Sequence, residues 1–329
     1  MDLTAEFKAT LVELRREVDT YLIKSAGASY PASLYQPINY FLEFGGKRLR
    51  PLLTLLSCRA VGCDYREALP AACAIELLHN FTLVHDDIMD QDSLRRGQAT
   101  VHTRWSESVA ILTGDGLIGL AYRALMNTPS ETLQPVTKIF TEGVIRVCEG
   151  QAIDKDFEGM EEVSIAEYFD MIQKKTGELI AVSTEIGGIV GKGDAVQVRA
   201  LRAFGEAIGR AFQVQDDLLD IISSEEVLGK DLGSDLAQGK KTFVIIKLKE
   251  LSSAEEWEFI QSVLRSRRLD KDILERVKAI MRKNGVIDQA ERQIQRDVRQ
   301  AQDILLKTFP PDRAEELMQF SLMILNRKY

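Results

Sequence analysis

The stretch Leu77-Leu78-His79-Asn80-Phe81-Thr82-Leu83-Val84-His85-Asp86-Asp87-Ile88-Met89-Asp90 reads as an apolar helix that ends on three carboxylates. On a helix, Asp86 and Asp90 stand one turn apart on the same face, with Asp87 offset by about 100°. A second copy, Phe212-Gln213-Val214-Gln215-Asp216-Asp217-Leu218-Leu219-Asp220, begins its acids 130 residues later with the same i, i+1, i+4 spacing. One such cluster alone is ordinarily a solvated helix face. Two copies, each following an apolar run, point elsewhere, because like charges at i, i+4 cost a helix a few tenths of a kcal/mol. Something should compensate them. All-oxygen donors favour a hard cation, and magnesium takes one or two carboxylates and completes its shell with water and substrate phosphates. The pattern therefore predicts bound magnesium and a phosphorylated substrate. His85, beside Asp86, is expected to pack or support rather than to ligate.

Outward from these clusters the chain reads as all-α. Six of its eight prolines lie between Pro31 and Pro135, and none lies between Val136 and Phe309, so long helices can run there. Ser164-Ile165-Ala166-Glu167, Ser253-Ala254-Glu255-Glu256 and Asp312-Arg313-Ala314-Glu315 have the spacing of capping boxes and predict helix starts. Asp115-Gly116 falls inside a helix-like apolar segment and reads as close packing, not as a hairpin turn. No solenoid period and no low-complexity linker divides the chain, so a single domain over residues 1–329 is expected. From Leu251 to Tyr329 the pattern is charged amphipathic helix, whose expected work is packing.

The composition narrows the function. With 45% hydrophobic residues the 329-residue chain can bury a sizeable core, and a net charge of −8 argues against a general nucleic-acid surface. The nearest candidate for a membrane span, Val109 to Met126, is interrupted by Asp115 and Arg123. The stretch Met1 to Arg16 has no apolar signal-peptide core, which makes the cytoplasm the default compartment. Cys58, Cys63, Cys73 and Cys148 have no zinc-site spacing and are expected to be reduced thiols.

Basic residues answer the acids in short blocks. Gly45-Gly46-Lys47-Arg48-Leu49-Arg50-Pro51 sets three cations in four residues between a flexible turn and a proline that can open a helix. Arg95 and Arg96 follow the first acid cluster; Lys230, Lys240 and Lys241 follow the second; Lys174-Lys175-Thr176-Gly177 lies in the middle of a predicted helix. Lys174 and Lys241 are assigned to solvent.

Taken in order, these motifs resemble a trans-type polyprenyl diphosphate synthase over essentially the whole chain, most closely an archaeal-type short-chain geranylgeranyl diphosphate synthase. The matching residues are Gly45 to Pro51, Asp86 to Asp90 continuing into Arg95-Arg96-Gly97, Gly150-Gln151 with Asp154, Lys175-Thr176, and Phe212 to Asp220 followed by Gly229-Lys230. Ala99 departs from the proline that many members carry, and only a loop effect is expected from it. The resemblance implies a single large helical bundle around a deep central cavity and a homodimer. It implies magnesium on Asp86, Asp90 and Asp216, with Asp87 and Asp220 in support. It assigns Lys47, Arg50, His79 and Arg96 to isopentenyl diphosphate, and Arg95, Lys230 and Lys240 to the allylic diphosphate, whether dimethylallyl, geranyl or farnesyl. Lys175, Thr176 and Gln213 would lie against the allylic group where positive charge develops.

An aromatic five residues before Asp86, Phe81, and a small residue four before it, Thr82, with an uninserted cluster, resemble twenty-carbon synthases more than farnesyl enzymes with paired aromatics. A farnesyl or mixed product is the alternative. Helix geometry alone puts Thr82, not Phe81, nearest the Asp86 face. A terpene cyclase is disfavoured by the second aspartate cluster, and a non-catalytic partner subunit by intact clusters and cations. A calcium-binding helical module is disfavoured because Asp90-Gln91-Asp92-Ser93-Leu94 lacks the glycine and later glutamate of an EF-hand loop.

Overall fold

The computed structural model describes residues 3–27, 29–222, 233–266 and 269–325. Helices α1 (Ala5–Ser25), α2 (Ala32–Glu43), α3 (Leu49–Ala60) and α4 (Leu69–Met89) are followed by a two-stranded hairpin, β1 (Leu94–Arg95) and β2 (Gln98–Ala99). Next come α5 (Val101–Arg104), α6 (Glu107–Leu125), α7 (Ser130–Glu158), α8 (Ile165–Ile172), α9 (Glu178–Val190) and α10 (Ala195–Ile222). The remaining described helices are Ser234–Gln238, Phe243–Leu251, Ala254–Ser266, Lys271–Lys283, Val286–Thr308 and Pro311–Leu325.

Two of the three expected helix starts are reciprocal caps. Ser164 Oγ accepts from Glu167 N while the Glu167 carboxylate accepts from Ser164 N, and Ser253 with Glu256 repeats the exchange. The third expectation is corrected by two residues: the last helix opens at Pro311, not after Asp312. Proline suits a first helical position, where its missing N–H would have had no partner, and Asp312 then places its charge in the first turn.

Contacts group the chain into two compact units: Met1–Val144 with Leu179–Gly205 and Asp303–Phe320, and Ile145–Glu178 with Glu206–Gln302 and Ser321–Tyr329. The first is centred on α4, whose segment Ala71 to Leu78 is completely enclosed by α1, α3 and α6. Among the described residues, α6 is the helix long and apolar enough to cross a membrane, yet it packs along α4 and α2. Gly116 on α6 bears out the close-packing expectation: a Cβ there would lie 2.9 Å from Cδ1 of Ile38. The second unit builds its core from Tyr168, Ile172, Ile208, Val214, Leu218, Phe243, Val277 and Val298. All four cysteines are free thiols.

Candidate active site

In the first unit, α4 carries His79, Phe81, Thr82, Asp86 and Asp87, and Asp90 is its C-cap. Asp87 turns inward from the Asp86–Asp90 face. It is 1% exposed, its Oδ1 accepts from Arg95 Nε at 2.6 Å, and its buried Oδ2 makes no hydrogen bond among the described residues. Burial pushes its carboxyl up to about 7 against the lowering pull of Arg95. Arg95 also stands 4.0 Å from Asp92.

The cations reach α4 on two turns. Arg48 has a left-handed backbone (φ 51°) and its guanidinium points into protein, pairing with Glu76 at 2.7 Å and Asp19 at 2.8 Å. That clamp leaves Lys47 exposed, while Arg50 meets His79, with Nη1 3.1 Å from Nε2. A guanidinium only donates, so His79 accepts through Nε2. Burial first, then Arg50, Arg96 and Arg95, hold the His79 ring well below its usual pKa, which keeps it neutral.

Arg96 and Gly97, both with positive φ (53° and 74°), form the two-residue turn between β1 and β2. The Arg96 guanidinium donates to the Gly45 carbonyl and lies over Gly46, where a Cβ would come within 2.9 Å of Nη1. Ala99, the departure from proline, pairs with Leu94, and its carbonyl accepts from Tyr40 Oη at 2.8 Å. Arg104 covers the same Tyr40 ring at 4.0 Å. The Phe81 ring lies 4.7 Å from His85, whose imidazole occupies the space a Cβ on Gly114 would need. Thr82 turns its hydroxyl back to the His79 carbonyl, 2.8 Å away.

In the second unit the predicted helix through Lys174 and Lys175 is corrected. Gln173–Gly177 is a π-helical turn between α8 and α9. Such a turn carries one residue more than an α-helical one and re-aims the side chains on it. Lys175 Nζ donates to Asp154 at 2.6 Å, and Thr176 Oγ1 to Gln213 Oε1 at 2.8 Å. Gly150 lets α7 approach this turn, since a Cβ there would sit 2.2 Å from the Lys175 amide nitrogen. Lys174 lies on the surface between Asp170 and Glu149.

The three acids of the second cluster have different surroundings. Asp216 is partly accessible, whereas Asp217 and Asp220 are buried. Asp220 accepts from Ser234 Oγ at 2.9 Å and from Asp235 N at 3.1 Å. Asp217 accepts from Tyr168 Oη at 2.7 Å, Gln213 Nε2 at 2.9 Å and Phe243 N at 2.9 Å, while burial pushes its carboxyl up to about 7. Lys240 pairs with Asp235 at 3.6 Å, and Lys230 lies outside the described residues.

Among the described residues no three His, Cys, Asp or Glu side chains form a closed cage for a metal ion. The donor set still suits magnesium. It is purely carboxylate, and Asp87 Oδ2 is an unsatisfied buried oxygen beside it. A hard ion that takes part of its shell from a bound phosphate needs no all-protein cage.

The polyprenyl synthetase family profile matches residues 31–281. The chain belongs to the polyprenyl synthetase family. Within that family it is 39% identical over 300 residues to the short chain isoprenyl diphosphate synthase of Methanothermobacter thermautotrophicus, covering 91% of this chain and 92% of the relative. The crystal structure of geranylgeranyl pyrophosphate synthetase from Pyrococcus horikoshii superposes with a TM-score of 0.89 at 36% identity, covering 98% of this chain and 99% of that one. A polyprenyl synthase from Caulobacter crescentus, solved with calcium and isoprenyl diphosphate, gives a TM-score of 0.90 at 28% identity over 100% of this chain and 99% of that one. The chain is thus a short-chain trans-prenyltransferase with the helical bundle of its polyprenyl synthetase relatives. Sequence reasoning gave no role to Arg48, Asp217 or Tyr168. Only Asp217 had a signal, its place inside the repeated acid motif.

Proposed function

We propose that this prenyltransferase couples isopentenyl diphosphate to an allylic diphosphate with magnesium and releases the twenty-carbon geranylgeranyl diphosphate. The observation that carries the reading is α4. This one helix bears a neutral histidine set against Arg50, an aromatic and a small residue, and the two carboxylates of one face, Asp86 and Asp90. Magnesium, which Asp86, Asp90 and Asp216 would hold with Asp87 and Asp220 in support, would supply charge stabilisation of the diphosphate leaving group.

The residues of the chain do the rest. Lys47, Arg50, His79 and Arg96 bind the isopentenyl diphosphate, with His79 also holding the Arg50 guanidinium; Arg95, Lys230 and Lys240 bind the allylic diphosphate. As the allylic C–O bond breaks, its electron pair leaves with the diphosphate. The isopentenyl double bond then attacks the allylic carbon, and the resulting cation loses a proton to the departed diphosphate. Lys175, Thr176 and Gln213 lie against the allylic group where positive charge develops, with the Lys175 ammonium turned to Asp154 and the side-chain oxygens of Thr176 and Gln213 left to face that charge. Apolar residues of α4 exclude water, which would otherwise trap the cation as an alcohol. Phe81, with Thr82 beside it, sets the length.

We also take residues 1–329 as one working synthase that acts in the cytoplasm as a homodimer. The exposed Ile111, Leu112 and Met126 of the α6 region supply an apolar surface for a second copy. Incubation with isopentenyl diphosphate, each of the three allylic primers and magnesium, with products resolved by chain length, tests the reading. A magnesium-dependent twenty-carbon product supports it, and no product from any primer overturns it.

A further inference from the structure

The second aspartate cluster holds one acid whose surroundings do not suit metal binding. Asp217 is 3% exposed and takes three donors from its own unit: Tyr168 Oη and Phe243 N on Oδ2, and Gln213 Nε2 on Oδ1. Held by three donors, Asp217 in its ionised form accepts and cannot donate. The Gln213 amide therefore has one allowed orientation, with NH2 toward Asp217 and the carbonyl away from it. The other orientation would set the amide oxygen against Oδ1 at the 2.9 Å now spanned by a hydrogen bond. With the carbonyl fixed outward, Thr176 has to donate its proton to Gln213 Oε1, as the 2.8 Å contact requires. The hydroxyl of Thr176 is then left with oxygen lone pairs at its open side.

We propose that Asp217 is a positioning residue that sets the polarity of this chain, so that Thr176 presents its oxygen, not its hydrogen, to the allylic carbon. Reversal of the Gln213 amide would reverse every dipole in the chain and turn the Thr176 proton outward, where positive charge develops. The charge of Asp217 is thereby expressed two hydrogen bonds away as the sign of a local dipole. Aligned hydrogen bonds polarise one another in a low-dielectric interior, which strengthens the effect. The role differs from that of Asp216 in the same cluster and rests on the reading of Thr176 given above.

Asp217→Asn tests this, because it keeps the shape and removes the charge that selects one amide orientation. In single-turnover assays with isopentenyl and farnesyl diphosphates, the rate should fall about 100- to 1,000-fold, the scale of losing one preorganised dipole at a developing charge. The KM for both diphosphates and the half-saturating magnesium concentration should stay within about twofold of the parent. Gln213→Met should show a similar loss, and the double variant should be no slower than the slower single one, as for residues acting in one chain. Losses that multiply would overturn the proposal, as would a rate restored by more magnesium, which would make Asp217 a metal ligand. Should Asp217→Asn not fold, the parent labelled with 15N-glutamine decides. The Gln213 side-chain amide, assigned by its absence in Gln213→Met, should exchange slowly and shift downfield. Exchange as fast as that of exposed glutamines would sink the idea. Failure of the parent to turn over would count against the enzymatic reading, whereas these outcomes bear on Asp217 alone.

Discussion

Arg48 Nη1 lies 2.7 Å from Glu76 Oε1, and the two side chains are only 5% and 4% exposed. The pair ties the turn before α3 to the middle of α4, and Asp19 on α1 takes the Nε of the same guanidinium. Removal of one partner leaves an uncompensated buried charge, which costs about 3–5 kcal/mol. Arg48→Met is expected to lose that much stability in urea unfolding, and Arg48→Met with Glu76→Leu to recover most of it. A single variant as stable as the parent would show that the pair does not hold the turn.

Burial of the His79 ring, with Arg50 set against it, makes stability depend on pH. In the folded chain the His79 ring has a lowered pKa, so the unfolded chain takes up the proton first, near the ordinary value of about 6.5. Its contribution is intact above that pH and declines as pH falls from there toward the lower folded value, by at most about 1.4 kcal/mol per pH unit. His79→Gln keeps an acceptor for Arg50 and should flatten this slope in melting curves taken between pH 7.5 and 5.5. Parallel slopes would argue that the ring is not held neutral.

Gly46 gives Arg96 its seat. Gly46→Ala places a methyl group 2.9 to 3.2 Å from the guanidinium atoms, at a φ of +148° that a side chain rarely adopts. Loss of one charge-assisted contact at about 1.5–3 kcal/mol corresponds to a KM for isopentenyl diphosphate raised by roughly 10-fold or more. Initial-rate kinetics should show that rise with kcat changed far less, and an unchanged KM would separate Arg96 from that substrate.

Gly150 faces backbone rather than a movable side chain. Gly150→Ala brings its Cβ to 2.2 Å from the Lys175 nitrogen and 2.6 Å from its Cα, so the π-helical turn has to shift. Overpacking of this kind costs about 1–3 kcal/mol. The melting temperature should drop, and turnover should drop with it because Thr176 lies on the displaced turn. Full activity in this variant would remove the turn from the chemistry.

The Phe81 ring packs against His85 rather than standing alone, at 4.7 Å and a 58° tilt. If it limits the hydrocarbon, Phe81→Ala should lengthen the product by one or more five-carbon units, read by chromatography of the dephosphorylated alcohols. An unaltered product distribution would acquit Phe81.

What could be read from the sequence was what depends on neighbours along the chain. The capping boxes at Ser164 and Ser253 and both carboxylate spacings are local patterns, and the helices formed where these patterns stood. Arg48 resisted reading because Lys47, Arg48 and Arg50 are chemically alike in a string. Only burial against Glu76, 28 residues away, separates the structural cation from the others. Asp217 was hidden for the same reason, since Tyr168 and Phe243 meet it from 49 and 26 residues away. The π-helical turn left no trace in a periodicity that both kinds of helix nearly share.

That turn makes the chain vulnerable to a deletion rather than to a substitution. A π-helical turn is an α-helix with a residue inserted, so removing one residue within Gln173–Gly177 could restore an unbroken helix from α8 into α9. Every side chain beyond the excision would then swing by about 100° around the axis. A protein shortened in this way would keep Asp86, Asp90 and the arginine turns that precede the excision while losing the aim of Thr176. On the proposed roles it would capture both diphosphates and join neither, and so compete for them.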